Sequence, residues 1–422
     1  MKIGFFTERY LPQTDGIVYS IESFRRELES LGHEVYIFAP APSLRYKEKN
    51  KYIIRFPAIK GLWFEDYMTK FPWTPQAYKK AKSLHLDIIH THTPSEMGLF
   101  GMSIALKEHI PLVSTYHTDL FEYIKHYPQV LPGAIILAQL VPLMAGRPDL
   151  FRTSFTMMKP ETSVDKWSQK IVRRMIPLVN NLCDLVIAPS TKVEKQLTSW
   201  KTTKPITVLP TGVDKMATNL EEIEQFRQTY KIHPEDKVVL FVGRLASEKN
   251  IDLLIAAFGL VLQQLPSAKL LIIGDNPYRA TLETQVKELG IKNQVIFSGY
   301  ITDRIKLGAA YSVATVFAFP SLTDTQGLVI HEAANSGVPC VLIDRGITEV
   351  VVNNVSGLYA KNNAADFAEK LVKILSDAHL HDQLGKSAMR LSARLSARQQ
   401  ALKLEALYQD LVNKQAAKRL NP

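Results

Sequence analysis

The chain has 422 residues, 46% hydrophobic and 22% charged, with 51 Lys and Arg against 41 Asp and Glu for a formal net charge of +10. That balance excludes a disordered or fibrous chain, and the length allows two or three domains with sizeable cores. The two cysteines, Cys183 and Cys340, lie in apolar runs; neither a disulfide framework nor a cysteine metal set is expected, which fits a reducing compartment.

"KIGFFT" reads as a strand, and "MKIGFFTERY" as a strand-like start without the apolar core of a signal peptide. "GIVYSIESFRRELESLG" is an amphipathic helix closed by Gly32. "EVYIFAP", "DIIHTHT", "PLVSTYHT", "DLVIAPS" and "ITVLPTGVD" continue the strand series, each ending in polar residues. Val130 to Gly146, "VLPGAIILAQLVPLMAG", has Gln139 as its one polar side chain. It is too short for a span, and Pro142 interrupts it. A buried helix and a surface dipping into lipid both fit. "DKWSQKIVRRMIPLVNNL" follows, with Lys166, Lys170, Arg173 and Arg174 among Trp167, Ile171, Val172 and Met175. That mixture suits an anionic membrane surface and suits a plain surface helix nearly as well.

The pattern restarts in the second half. "KVVLFVGRL", "AKLLIIGDN", "QVIFSGY", "ATVFAFPS" and "VPCVLID" are strands separated by the helical runs "NIDLLIAAFGLVLQQL" and "ATLETQVKELG". After Ala364 the chain is helical, and its last helix could return to the first half. Strands alternating with helices imply parallel sheets, here in two α/β units joined near "LPTGVD". Residues 1–213 hold 27 Lys and Arg against 19 Asp and Glu, a net +8, while residues 214–422 hold 24 against 22, a net +2. The first half thus suits an acidic partner, nucleic acid or anionic lipid, or simply a soluble surface.

Ligands of open parallel sheets bind beyond the carboxyl ends of the strands. The polar strand ends are Thr7-Glu8, Thr91-His92, His117-Thr118, Gly243-Arg244, Gly274-Asp275, Gly299-Tyr300 and Ser321. No G-x-G-x-x-G follows the first strand, so a nicotinamide dinucleotide site is not expected. "GRLASEKN" places Arg244 and Lys249 between a strand and a helix, where cations and free N–H groups suit phosphate. "SLTDTQGLVIHEAANSGVP" carries Asp324 and Gln326 into Gly327, then a helix bearing Glu332. The glycine allows close backbone approach, and the carboxylates accept hydrogen bonds from hydroxyls. Together these features describe a nucleotide-sugar pocket. The plainer alternative has Asp324 capping the helix and Glu332 pairing with a surface lysine.

These stretches resemble the retaining glycosyltransferases of family 4. The resemblance covers nearly the whole chain through "PQTDGI", "STYHT", "VIAPS", "LPTGVD", "GRLASEKN", "IIGDNPY", "VIFSGYI" and "PSLTDTQGLVIHEAANSGVPCV", in order. It implies an α/β GT-B fold: two Rossmann-like domains facing across a cleft. The first, residues 1–213, faces acceptor and membrane and takes back a C-terminal helix from about 385 to 422; the second, 214–384, binds the nucleotide sugar. It implies that Arg244 and Lys249 hold the donor pyrophosphate. Glu332 matches the second acid of an E-x7-E motif, on the ribose hydroxyls. Asp324 replaces the first acid, usually Glu, at the transferred sugar. Gln326, Gly327 and Leu328 are implied to meet phosphate or hexose largely through backbone, and Gly299, Tyr300 and Ile301 the nucleobase. Gly16 matches a glycine loop near the donor phosphate, where many relatives have two glycines, and His117 a histidine near the reacting centre. The family's front-face substitution needs no protein nucleophile, metal or cofactor.

"ERYLPQTDGIVYSI", "STYHTDLFEYIKHY" and "TDTQGL" look most like the bacterial diacylglycerol glucosyltransferases. That implies UDP-glucose as donor, diacylglycerol as acceptor, and peripheral attachment to an anionic surface on the cytoplasmic side of the cell membrane. One alternative keeps the fold with another pair of substrates, such as GDP-mannose with phosphatidylinositol, another lipid or a soluble sugar. Another is a non-catalytic basic binding protein. Its basic runs lack interleaved aromatics, so no nucleic-acid partner is expected.

Overall fold

The computed structural model describes residues 1–43, 45–60, 68–70, 74–92, 95–128 and 131–420. The chain divides into two compact units, Met1–Gly212 with Ala397–Pro422, and Val213–Ser396. Both cysteines are free and buried.

The first unit begins with β1 (Lys2–Phe6), α1 (Gly16–Ser30), β2 (Glu34–Pro40) and β3 (Ile53–Phe56). The short antiparallel strands β4 (Ala58–Lys60) and β5 (Met68–Lys70) come next, then α2 (Pro75–Lys82), β6 (Ile88–Thr91), α3 (Glu96–Glu108) and β7 (Leu112–Thr115). Four helices follow: α4 (Leu120–His126), α5 (Leu131–Met144), α6 (Phe151–Met157) and α7 (Val164–Asn180). Then come β8 (Leu185–Ala188), α8 (Thr191–Ser199) and β9 (Ile206–Val208). Among the described residues the main sheet runs β3-β2-β1-β6-β7-β8-β9, and its pairings are parallel. β6, β7 and β8 are buried along their whole length, as a sheet covered on both faces requires. The strand order reverses between β1 and β6. Thr7 and Glu8 follow β1 there, and His92 follows β6.

The second unit contains α9 (Leu220–Tyr230), β10 (Val238–Val242), α10 (Ile251–Gln264), β11 (Lys269–Ile273), α11 (Arg279–Glu288) and β12 (Val295–Gly299). It continues through α12 (Arg304–Val313), β13 (Val316–Phe319), α13 (Leu328–Asn335), β14 (Cys340–Leu342), β15 (Gly357–Tyr359), α14 (Ala364–Ser376) and α15 (Ala378–Ser392). Its parallel sheet runs β12-β11-β10-β13-β14-β15, the Rossmann order, with the reversal between β10 and β13. Phe241, Leu271, Phe317 and Val341 sit in one continuous core. At Gly274 a Cβ would stand 1.9 Å from the Gly243 carbonyl oxygen, so glycine lets the ends of β10 and β11 approach.

The last helix, α16 (Ala397–Leu420), belongs to the first unit. Ala401, Leu404 and Tyr408 are fully buried there, with Ile3, Ile21 and Ile37 in the same core. His33 Nε2 meets Glu405 Oε1 at 2.7 Å, and Gln415 and Arg419 donate to the His109 carbonyl. The sequence places the returning segment from about 385, whereas the structure assigns α15 to the second unit. Ser396 is extended (ψ 155°) after a 3-10 turn over Ala393–Leu395, and this break is invisible in the helical periodicity.

Candidate functional site

In the second unit, the predicted donor residues gather at the carboxyl ends of β10 and β13. A 3-10 turn, Ser247–Lys249, follows β10, and Asn250 adopts a left-handed φ of 56° before α10. Asn250 Nδ2 donates to the Pro320 carbonyl at 3.3 Å and to Asn362 Oδ1 at 3.0 Å, joining the loop after β10 to the loop after β13. Across that junction Lys249 Nζ donates to both carboxylate oxygens of Asp324, at 2.8 and 2.9 Å. Ser321 Oγ also donates to Asp324. Arg244 pairs with the buried Glu248 carboxylate. A basic group on this edge is thus built in, with its ammonium fixed by a two-point contact.

Gly327 precedes α13 with φ +70°, where L side chains are strained, and α13 begins with no side-chain cap. A helix N-terminus leaves its first N–H groups without intrahelical i−4 partners, which makes it a suitable place for anionic oxygens. Gln326 is buried, and Leu328 opens the helix. One turn on, Glu332 is buried and accepts from Arg304 Nη1 at 3.0 Å and from Tyr311 OH at 2.9 Å. Burial raises its carboxyl pKa above the usual range, against the opposing pull of Arg304 and Tyr311. Tyr300 is exposed, its hydroxyl donating to the Asp275 carbonyl at 2.8 Å, and Ile301 packs partly against the core. The plainer alternatives from sequence are therefore replaced. Asp324 holds Lys249 rather than capping α13, and Glu332 meets a buried tyrosine and an arginine rather than a surface lysine.

In the first unit, Gly16 opens α1, whose N-cap Asp15 accepts from the N–H groups of Ile17 and Val18. Arg9 Nε stands 2.8 Å from Asp15 Oδ2. His117 follows β7 and lies in a stack of histidine rings. His92 Nδ1 is 3.0 Å from His117 Nε2, and their ring centroids are 5.2 Å apart. His90 stacks on His92 at 4.2 Å and meets Tyr408 OH and Thr115 Oγ1 with its two nitrogens. Burial pushes His117 down to about 4 and holds His90 and His92 well below the usual imidazole range.

Comparison with known proteins decides the family. A model described as Glycosyltransferase Family 4 matches residues 14–215, and one described as Glycosyl transferases group 1 matches residues 222–390. The alpha-monoglucosyldiacylglycerol synthase of Streptococcus pneumoniae is 33% identical over 350 residues, spanning 81% of this chain and 70% of that protein. The chain belongs to glycosyltransferase family 4. The alpha-monoglucosyldiacylglycerol synthase of Acholeplasma laidlawii is 26% identical and covers 98% of both chains. Among solved structures, Anabaena HepE in complex with UDP and glucose superposes with a TM-score of 0.71 at 18% identity, over 97% of this chain and 100% of that one. The fold is therefore the GT-B type, and the protein is a hexosyltransferase.

The glycosyltransferase departs from the sequence reading at α7. Ile171, Val172, Met175 and Ile176 are buried in the first unit's core, and Trp167 packs partly against it. The apolar side of α7 is therefore occupied by protein and not offered to lipid. Lys166, Arg173 and Arg174 are exposed, but Lys170 donates to Glu161 at 2.6 Å and to the Lys159 carbonyl at 3.0 Å. Arg173 lies over the Phe121 ring at 4.6 Å. The apolar run before it, α5, is half buried: Ala134, Ala138 and Val141 face the core, while Ile136 and Leu143 are 58% and 64% exposed. Val130, the start of that run, lies outside the described residues. Among the described residues, no helix is long and apolar enough to cross a membrane.

Sequence reasoning missed Arg304 and Tyr311 as partners of Glu332 and missed His90 and Tyr408 behind His92, which it named only as a strand end. His90 lies on β6 and His92 two residues on, just past its end, so the period of two expected of extended chain put them on one face, which was a usable signal. The others meet their partners only through the fold.

Proposed function

We propose that this glycosyltransferase retains configuration and moves glucose from UDP-glucose to the free hydroxyl of diacylglycerol at a membrane surface. The observation that carries the donor half is Lys249, fixed by Asp324 beside the uncapped start of α13, with Glu332 one turn further on. In this reading Arg244 and Lys249 take the pyrophosphate, and the N–H groups after Gly327 add to them. Glu332 accepts from the ribose hydroxyls, Asp324 and Gln326 lie toward the hexose, and Tyr300 and Ile301 toward the base. Gly16 and His117 belong to the acceptor-side unit. The nucleotide sugar is a substrate, and the reading invokes no cofactor or metal.

Catalysis then rests on positioning and on stabilising the departing diphosphate, which also helps to deprotonate the acceptor. Removing one charged hydrogen bond to that group costs about 2–4 kcal/mol in the barrier. The name of the two relatives, alpha-monoglucosyldiacylglycerol synthase, supports the lipid acceptor. The membrane surface is supported by exposed Ile136, Leu143, Phe155 and Val164, in a stretch, 131–174, with seven Lys and Arg against three Asp and Glu. Peripheral attachment on the cytoplasmic side follows from this reading, with no nucleic-acid partner.

The test is transfer from radiolabelled UDP-glucose to vesicles of diacylglycerol and phosphatidylglycerol. Label in an extractable glycolipid, absent with Lys249→Ala, is the expected result. UDP-dependent stabilisation without lipid label would retain the donor site and overturn the acceptor.

A further inference from the structure

The histidine stack in the first unit does more than fill space. Each of the three rings is held neutral by burial, so each carries one N–H. The 3.0 Å contact between His92 Nδ1 and His117 Nε2 needs one donor and one acceptor, which leaves two arrangements. If His117 donates, the proton of His92 must sit on Nε2. That nitrogen is buried and has no hydrogen-bond partner among the described residues. A buried N–H without an acceptor is costlier and rarer than a bare acceptor lone pair. If His92 donates, the unpartnered Nε2 is only an acceptor.

The His92 ring is also held against turning over. Phe5 packs edge-on at 4.7 Å, and His90 stacks on it at 4.2 Å. His90 in turn is fixed by Thr115 Oγ1 at 2.6 Å and by Tyr408 OH, which arrives from α16. A flipped His92 would present a C–H to His117 and lose the bond.

We propose that His92 is a positioning residue: its Nδ1–H donates to His117 Nε2, so the proton of His117 sits on Nδ1 and His117 serves the reaction as a hydrogen-bond donor, not as a base. This rests on the reading of His117 as a residue of the transfer site. It agrees with a reaction in which the leaving phosphate, not a protein base, takes the acceptor proton.

The experiment is nitrogen-15 NMR of the histidine side chains in the full-length protein, together with steady-state kinetics. The wild type should show His117 protonated on Nδ1. His92→Phe keeps a ring in the stack and removes the donor. It should shift His117 toward a mixture of tautomers and lower kcat about tenfold to a hundredfold, with donor KM nearly unchanged. His92→Asn places an amide N–H near the Nδ1 position and should recover most of the rate and of the spectrum. Protonation of wild-type His117 on Nε2 overturns the inference, as does a His92→Phe variant with unaltered spectrum and kcat. If His92→Phe fails to fold, the wild-type spectrum and the Asn variant decide. Full turnover by His117→Ala would instead sink the site reading, whatever the tautomer.

Discussion

Lys249 and Asp324 lie 75 positions apart and meet in a two-point contact, side chains 15% and 18% exposed. Asp has a shorter reach than the Glu that the family pattern expects, and here the carboxylate is engaged with the lysine. On the proposed reading, its main work is to aim the ammonium. Asp324→Asn keeps the shape and removes the charge that fixes Nζ. We expect kcat/KM at limiting donor to fall about tenfold to a hundredfold, with Lys249→Ala lower still at about 2–4 kcal/mol of barrier. Undiminished kcat/KM in Asp324→Asn would remove it from this role. A second residue-scale test concerns stability. His331 is fully buried beside Glu332, and neither ring nitrogen has a hydrogen-bond partner among the described residues. Burial pushes its pKa down from 6.5 to about 4. Between those values the unfolded chain binds the proton that the folded chain refuses. Stability is therefore fully present above pH 6.5 and is lost as pH falls to about 4, by up to about 3 kcal/mol. His331→Leu should gain about 1–3 kcal/mol at neutral pH and flatten that acid limb in urea titrations. A variant as acid-sensitive as the wild type would show that other groups set the limb.

At the scale of elements, α16 is the one that sequence distance hides best. Its Tyr408 reaches His90 across 318 positions, and no local pattern announces that contact. Tyr408→Phe should cost about 1 kcal/mol, the worth of one buried hydrogen bond. Deleting residues 397–422 should cost far more, because Leu404 and Tyr408 leave a core in which each is fully buried. Scanning calorimetry should then show the first unit's transition lost or shifted sharply down, with the second unit's retained. A first-unit transition left in place would mean that α16 is an accessory. What sequence does reveal is the strands. The short apolar runs Ile88–Thr91 and Val238–Val242 fold as strands, as read. Amphipathic helices are more ambiguous. The 3.6-residue period of α7 correctly marks an apolar side, but the pattern is the same whether a core or a bilayer covers that side. The boundary between α15 and α16 is similarly silent, since only a 3-10 turn over Ala393–Leu395 and one extended residue, Ser396, separate two helices of ordinary composition.

At the scale of the whole molecule, two parallel sheets each reverse strand order once, and the chain crosses from one unit to the other near Gly212 and back near Ser396. The repeated strand-loop-helix pattern made that architecture legible. The motifs after β10 and β13 pointed to the residues proposed for the donor, because βα loops carry ligands at such a reversal and their composition is free of core demands. The partners that tune those residues were not legible, since Arg304 and Tyr311 reach Glu332 from another helix, α12, 28 and 21 positions earlier in the chain. The division has an experimental consequence. Val213–Ser396 is one contiguous stretch with its own sheet and core, whereas the first unit needs two stretches of chain. A fragment of residues 213–396 should therefore fold alone, and residues 1–212 alone should melt without cooperativity. If the donor residues suffice for nucleotide binding, UDP at a hundred times its Kd should stabilise the isolated second unit by about 2.7 kcal/mol. Lys249→Ala in the same fragment should lose most of that gain, since it removes the fixed cation and leaves the fold. A fragment that folds but ignores UDP, while the full chain responds, would mean that nucleotide affinity needs residues outside 213–396. In that case the kinetic losses at Lys249 and Asp324 would have to be read as positioning within a larger site.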